Sequence, residues 1–178
     1  MLTLLASCVP ADVAIGSEYS IRAVEAGDAE ALSRLYFTAY AAGDAAASIE
    51  EARDDIAATF AGGYGPLWPE ASPVVVTGSR IVAAALVVHH APWPDAPAGP
   101  FVIEVLTDRT HRRRGLARAV LSRAMRVALN GGGGTDTIGL RVGEDNTGAR
   151  WLYAALGFRP WPDDGLDAGT STRKDDAR

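Results

Sequence analysis

The chain is poor in the residues that build cross-linked or metal-bound scaffolds: its 178 residues include a single cysteine, Cys8, and three histidines. One thiol excludes a disulfide within the chain and suits a reducing compartment. So few soft ligands, with no close spacing, leave no zinc set to assemble. Long hydrophobic runs are also missing. The longest, Ile81 to Val88, falls far short of the about 20 residues needed to cross a bilayer. Positive charge is not in excess: a net charge of -5 and a pI near 5.1 argue against a general nucleic-acid-binding domain, which carries a net basic face. Leu5-Ala6-Ser7-Cys8 looks like a lipoprotein cleavage box, but the start lacks the charged and apolar regions of a secretory signal. The expectation is a soluble, cytoplasmic protein with no metal, membrane or nucleic-acid partner. Residues 1–18 are expected to form a flexible N-terminal extension.

What is present reads as one domain. Hydrophobic residues make up 48% of the chain, enough to bury a core at this length. Tyr19 to Val24 reads as a strand and Asp28 to Tyr40 as a helix. A second helix runs from Ser48, a capping residue followed by Glu50, Glu51 and Asp54, to Phe60 before Gly62-Gly63. Val74 to Val76 and Ile81 to Val88, joined at Gly78-Ser79, read as a hairpin. Pro92, Pro94, Pro97 and Pro100 stiffen a loop that leads into a strand over Phe101 to Thr107. Leu116 to Leu129 carries apolar residues every fourth position, and Gly131 to Gly134 is a flexible connector to a strand over Ile138 to Val142. Asn146 then caps a last helix that Gly157 stops. Past Trp161 the chain turns polar and charged, so 162–178 is expected to be a disordered tail. The domain itself is placed at 19–161.

Between the strand and the long helix stands His111-Arg112-Arg113-Arg114-Gly115-Leu116-Ala117. A helix start offers unpartnered N–H groups and the positive end of the macrodipole. Gly115 permits close approach, and three arginines add charge where the dipole disfavours cations, so the segment suits an anion such as a phosphate. Taken alone, it could equally be a solvated basic turn.

Together with the later helix, this segment resembles the GNAT superfamily of N-acetyltransferases. The pyrophosphate loop of that family matches Arg112, Gly115 and Ala117, and a second signature matches Asn146, Ala149, Leu152, Tyr153, Leu156, Gly157 and Phe158 without exception. The resemblance implies an α/β (α+β) fold: a mixed, mostly antiparallel central sheet with splayed middle strands, flanked by helices. The final strand that many relatives carry is abbreviated or missing here. The resemblance also implies an acetyl-CoA-dependent N-acetyltransferase acting by direct transfer to a primary amine. By the same analogy, Arg112, Arg113, Arg114, Gly115, Leu116 and Ala117 hold the pyrophosphate, and Asn146 is either just a cap or also a cofactor contact. The backbone of Leu106 and Thr107 pairs with the pantetheine arm.

An amine with a pKa near 10 must lose a proton before it attacks a thioester. Glu104, inside the strand that leads to the basic turn, is the candidate base. Many relatives carry the acid one position earlier, where this chain has Ile103, and a bulge could re-aim Glu104. His89 and His90 are rival bases, and a water chain is another. Tyr153 is the candidate general acid by resemblance; by periodicity alone it is a buried aromatic. The acceptor, a small-molecule amine or a peptide, is left open, as is the choice between monomer and homodimer. Tyr36, Tyr40, Tyr64, Trp68 and Trp93 either line its pocket or are core and rim. The alternative is a non-catalytic acyl-CoA-binding regulatory module.

Overall fold

The computed structural model describes residues 1–9, 11–40, 45–131 and 136–161. The expected tail at 162–178 and most of the glycine connector lie outside them. Seven strands are formed: β1 (Leu2–Ser7), β2 (Ser20–Ala23), β3 (Pro73–Thr77), β4 (Arg80–Val88), β5 (Phe101–Thr107), β6 (Thr137–Val142) and β7 (Arg159–Pro160). The α-helices are α1 (Ala29–Ala39), α2 (Ile49–Phe60), α3 (Leu116–Asn130) and α4 (Thr147–Ala155). The strands make one sheet in the order β2-β3-β4-β5-β6-β1-β7. Every neighbouring pair is antiparallel except β5 and β6, which are parallel.

β4 lies inside the sheet, and from Ile81 to Val88 every residue is buried, as a strand covered on both faces requires. Ala84 and Leu86 meet Leu32 and Leu35 of α1 and Ile56 of α2 on one face. Ala83, Ala85 and Val87 meet the buried stripe of α3, including Val120, Leu121 and Ala124, on the other. The helix ends follow the capping logic of the sequence. Ser48 Oγ accepts from the Glu51 amide at 3.1 Å, Asn146 Oδ1 accepts from the Ala149 amide at 3.1 Å, and Gly157 closes α4 with φ +90°, a left-handed conformation natural to glycine.

Two features of the sheet position the site. First, β5 and β6 pair only through Phe101 with Gly139 and Val102 with Leu140, whereas β5 continues to Thr107 against β4. Beyond Val102 the two middle strands have separated, which is the splay that the family resemblance implied. Second, the register between β4 and β5 shifts: Leu86 faces Glu104, but Val87 faces Val102. Ile103 is therefore the extra residue of a β-bulge, which locally breaks strict side-chain alternation.

The N-terminus requires a correction. Residues 1–18 do not form a loose extension throughout, because Leu2–Ser7 is β1, paired along its whole length with β6 and through Leu4 and Leu5 with β7. The physical reason is a period of two: Leu4, Ala6 and Cys8 are all buried and pack with Ile138, Leu140, Tyr153 and Phe158. That alternation is a half-buried strand, which the resemblance to a leader peptide concealed. β7 has only two residues, and β1 gives β6 the full-length partner that β7 is too short to provide.

Candidate active site

The basic turn begins where β5 ends. Asp108 organises it, accepting from the Thr110 amide at 2.8 Å and from the Thr110 hydroxyl at 2.6 Å. The Thr110 hydroxyl bond is the main reason that its carboxyl is held down to about 2, below the usual range. Arg112 is extended, Arg113 is left-handed at φ 60°, and Gly115 is left-handed at φ 78° as the N-cap of α3. No side chain caps the N–H groups of the first turn of α3, so the helix presents an open, positive end. Leu116 is buried in the core, which leaves only its backbone for any ligand.

The three arginines are not equivalent. Arg112 donates to the Ala39 carbonyl, and nearby Arg109 donates to the Tyr40 carbonyl, so both sit on the negative C-terminal end of α1. Arg114 donates to the Tyr19 hydroxyl at 3.1 Å and lies 3.7 Å from Glu18. Arg113 makes no ion pair among the described residues.

On the other side of β5, a cavity of about 230 Å³ is lined by Tyr36 of α1, Asp55 and Ile56 of α2, Tyr64, Trp93, and Ile103 and Glu104 of β5. The bulge explains how two successive strand residues reach one cavity. Leu106 and Glu104 share the face toward α1 and α2, and the extra residue brings Ile103 there as well. Ile103, where the resemblance expects the acid, and Glu104, where this chain carries one, thus open into the same space.

Burial dominates the electrostatics of Glu104. Desolvation pushes its carboxyl up to about 7, opposed by a hydrogen bond from the Tyr40 hydroxyl and one from the Val105 amide, with the Asp55 carboxylate adding to the rise. Such a group is about half ionised near neutral pH and can accept a proton. Tyr153, on α4, is buried and packs edge-on against Phe158 at 5.7 Å. Burial, then the Glu104 charge, pushes its phenol up to about 12, so it stays protonated. Its hydroxyl makes no hydrogen bond to the described residues.

The rival bases are elsewhere. His89 and His90 are exposed, and His89 stacks on Trp68 with ring centroids 4.6 Å apart. Trp68 belongs to the core on the α3 face, so of the five aromatics named from the sequence, Tyr36, Tyr64 and Trp93 line the cavity and Tyr40 bonds its acid. A larger open cleft of about 550 Å³ near Glu25 and Phe60 holds none of the candidate residues. Sequence reading missed Asp55, which accepts from the Tyr36 and Tyr64 hydroxyls, each at 3.4 Å. A signal existed: Ala52, Ile56 and Thr59 form the buried stripe of α2, and Asp55 occupies the remaining inward place of that i, i+3, i+4, i+7 pattern.

The profile of the acetyltransferase (GNAT) family matches residues 29–158. Among solved structures, a GCN5-related N-acetyltransferase from Sphaerobacter thermophilus superimposes with a TM-score of 0.66 at 19% identity, covering 89% of this chain and 47% of that one. This chain therefore spans about half the length of that relative. The aminoglycoside N-acetyltransferase AAC(6')-Iy, solved with CoA, gives 0.60 at 18% identity, over 83% of this chain and 92% of that one. The ribosomal-protein-S18-alanine N-acetyltransferase of Escherichia coli gives 0.56 at 21%, over 78% and 76%. No curated protein matches the sequence.

Proposed function

This chain belongs to the acetyltransferase (GNAT) family and is an acyltransferase, and we propose that it moves an acetyl group from acetyl-CoA to a primary amine by direct attack in a ternary complex. The observation that carries the proposal is Glu104, a carboxyl raised to about 7 in a cavity that adjoins the separated edge of β5. On the same strand, three residues after that carboxyl, lies Thr107, and the open start of α3 follows it.

Acetyl-CoA is bound at its phosphates by the open N–H groups of α3 around Gly115, Leu116 and Ala117, with Arg112, Arg113 and Arg114 supplying charge. The backbone of Leu106 and Thr107 holds the pantetheine arm as an added strand, because no β6 partner occupies that edge. Asn146 completes the site from the start of α4. The bound thioester supplies the acetyl group and a thiol leaving group.

Glu104 is the general base. The bound ammonium first gives one proton to Glu104, which passes it to solvent. The neutral nitrogen then attacks the thioester carbonyl carbon, and as the C–N bond forms and the C–S bond breaks the nitrogen gives its second proton to Glu104. Tyr153 takes the general acid's place, donating a hydrogen bond to the departing sulfur. A phenol near 12 is a weaker acid than a thiol near 8.5, so the phenol stabilises the departing thiolate through a hydrogen bond while keeping its own proton, and the released thiolate is protonated from solvent. The proton left on Glu104 balances the one that the thiolate finally takes up. Cys8 takes no part: it is buried, and desolvation pushes its thiol up to about 11, the reverse of what a nucleophile needs. We further assign a cytoplasmic location and a monomeric or homodimeric state.

The test is calorimetric titration with acetyl-CoA, followed by thiol release against pooled amines, amino acids and peptides. Binding together with release supports the reading. Absence of binding overturns it, and binding without release from any pool returns the protein to an acyl-CoA-binding module.

A further inference from the structure

The acceptor cavity is chemically one-sided. Two carboxylates reach it from different elements, Asp55 from α2 and Glu104 from β5, and its lining includes no lysine, arginine or histidine. Asp55 has no cationic partner among the described residues. Its two hydrogen bonds, from Tyr36 and Tyr64, are long at 3.4 Å each, so the carboxylate keeps strong acceptor capacity. The neighbouring cation, Arg141, is already committed: it pairs with Asp95 at 2.6 Å and lies over the Trp93 ring at 4.8 Å. The aromatic residues of the lining are Tyr36, Tyr64 and Trp93; one face of Trp93 is already taken by Arg141, so Tyr36 and Tyr64, beside Asp55, are the aromatic partners left for a cation.

Building on the transferase reading, we propose that the acceptor is a short-chain diamine, one nitrogen reacting beside Glu104 while the other stays charged against Asp55 between Tyr36 and Tyr64. A single nitrogen does not account for both acids. The reacting nitrogen must be neutral, so a charge-assisted contact with Asp55 is useful only to a second nitrogen that keeps its proton. The volume, about 230 Å³, lies below the roughly 300–1,000 Å³ of ordinary small-molecule sites and is enough for a short chain. An acceptor with a carboxylate at its far end would meet Asp55 with like charge and nothing to neutralise it.

Three amines of one chain length separate the possibilities: diaminobutane, butylamine and aminobutyrate, whose far ends are cationic, neutral and anionic. With the full chain and saturating acetyl-CoA, kcat/KM from thiol release is expected to fall in that order, with about tenfold or more between the first two. In Asp55→Asn the ratio of diaminobutane to butylamine is expected to drop by about tenfold, carried by KM, with acetyl-CoA affinity by calorimetry reporting that the variant is folded. Equal use of butylamine and diaminobutane by the wild-type enzyme, or preference for aminobutyrate, overturns the diamine assignment while leaving acetyl transfer intact. Binding of acetyl-CoA with no thiol release from any amine overturns the transferase reading and this one with it. The wild-type order decides the matter even if Asp55→Asn fails to fold.

Discussion

The basic turn and the cavity beside Glu104 adjoin the same strand, the turn following its end and the cavity lined by it, yet they are built in opposite ways. The turn, Arg112 to Ala117, is one contiguous segment whose means are backbone N–H groups, two left-handed residues and a helix dipole. The cavity draws single side chains from α1, α2, the loop before β5, and β5 itself. A site for a phosphate can be local because its donors come from consecutive residues of the backbone. A site that raises a carboxyl to about 7 cannot, because desolvation needs walls from several elements.

The largest effect should therefore come from the cavity. In Glu104→Gln, kcat/KM is expected to fall by about 10²- to 10⁴-fold. The wild-type rise in kcat/KM as pH increases through about 7, where Glu104 loses its proton, should vanish in the same variant. A pH–rate profile that keeps its limb in Glu104→Gln would make another group, or a water chain, the base. Next is the turn: Arg113→Glu with Arg114→Glu is expected to weaken acetyl-CoA binding by about 10- to 100-fold, read by calorimetry, without moving the pH limb. If the limb moves as well, the two regions are coupled through Arg109 and Arg112, which hold the carbonyls of Tyr40 and Ala39. Tyr153→Phe should lower kcat by about tenfold while acetyl-CoA affinity is retained; unchanged turnover would leave Tyr153 as packing alone.

Two smaller effects concern stability. An unfolded Glu104 ionises near 4.5 and the folded one near 7, so between those values the unfolded state holds fewer protons and folding stability declines as pH rises. Glu104→Gln removes that penalty. The variant should be more stable than wild type by about 1–2 kcal/mol above pH 7, after allowance for partial exposure, and gain nothing below pH 4.5. Urea melts at the two pH extremes measure the difference. Asn146→Ala, which deletes the cap on α4, should cost about 1 kcal/mol in the same assay at either pH.

The sequence was legible wherever a single period or cap decided the local structure. β5 runs over Phe101–Thr107 as read, and Ser48, Asn146 and Gly157 bound their helices as read. It was less legible where a segment had to be judged by what lies beside it. Leu4, Ala6 and Cys8 alternate as plainly as any strand, but only Ile138 and Leu140 across the ladder make that alternation a buried one. Asp55 fits a helix stripe, and only the phenols of Tyr36 and Tyr64 and the nearby Glu104 turn it from an apparent surface acid into part of a cavity.

From the sequence came the family, through a resemblance carried by two contiguous motifs, and with that resemblance the candidates for the phosphate turn, the base and the acid. Tertiary structure decided the rest: the point, after Val102, at which β5 and β6 part, the bulge that brings Ile103 and Glu104 to one face, and the meeting of Asp55 with Glu104 on one cavity. The physical reason is range. Dihedral preference, periodicity and capping act within a few residues along the chain, whereas desolvation and the field of one carboxylate on another act through space between residues far apart in sequence.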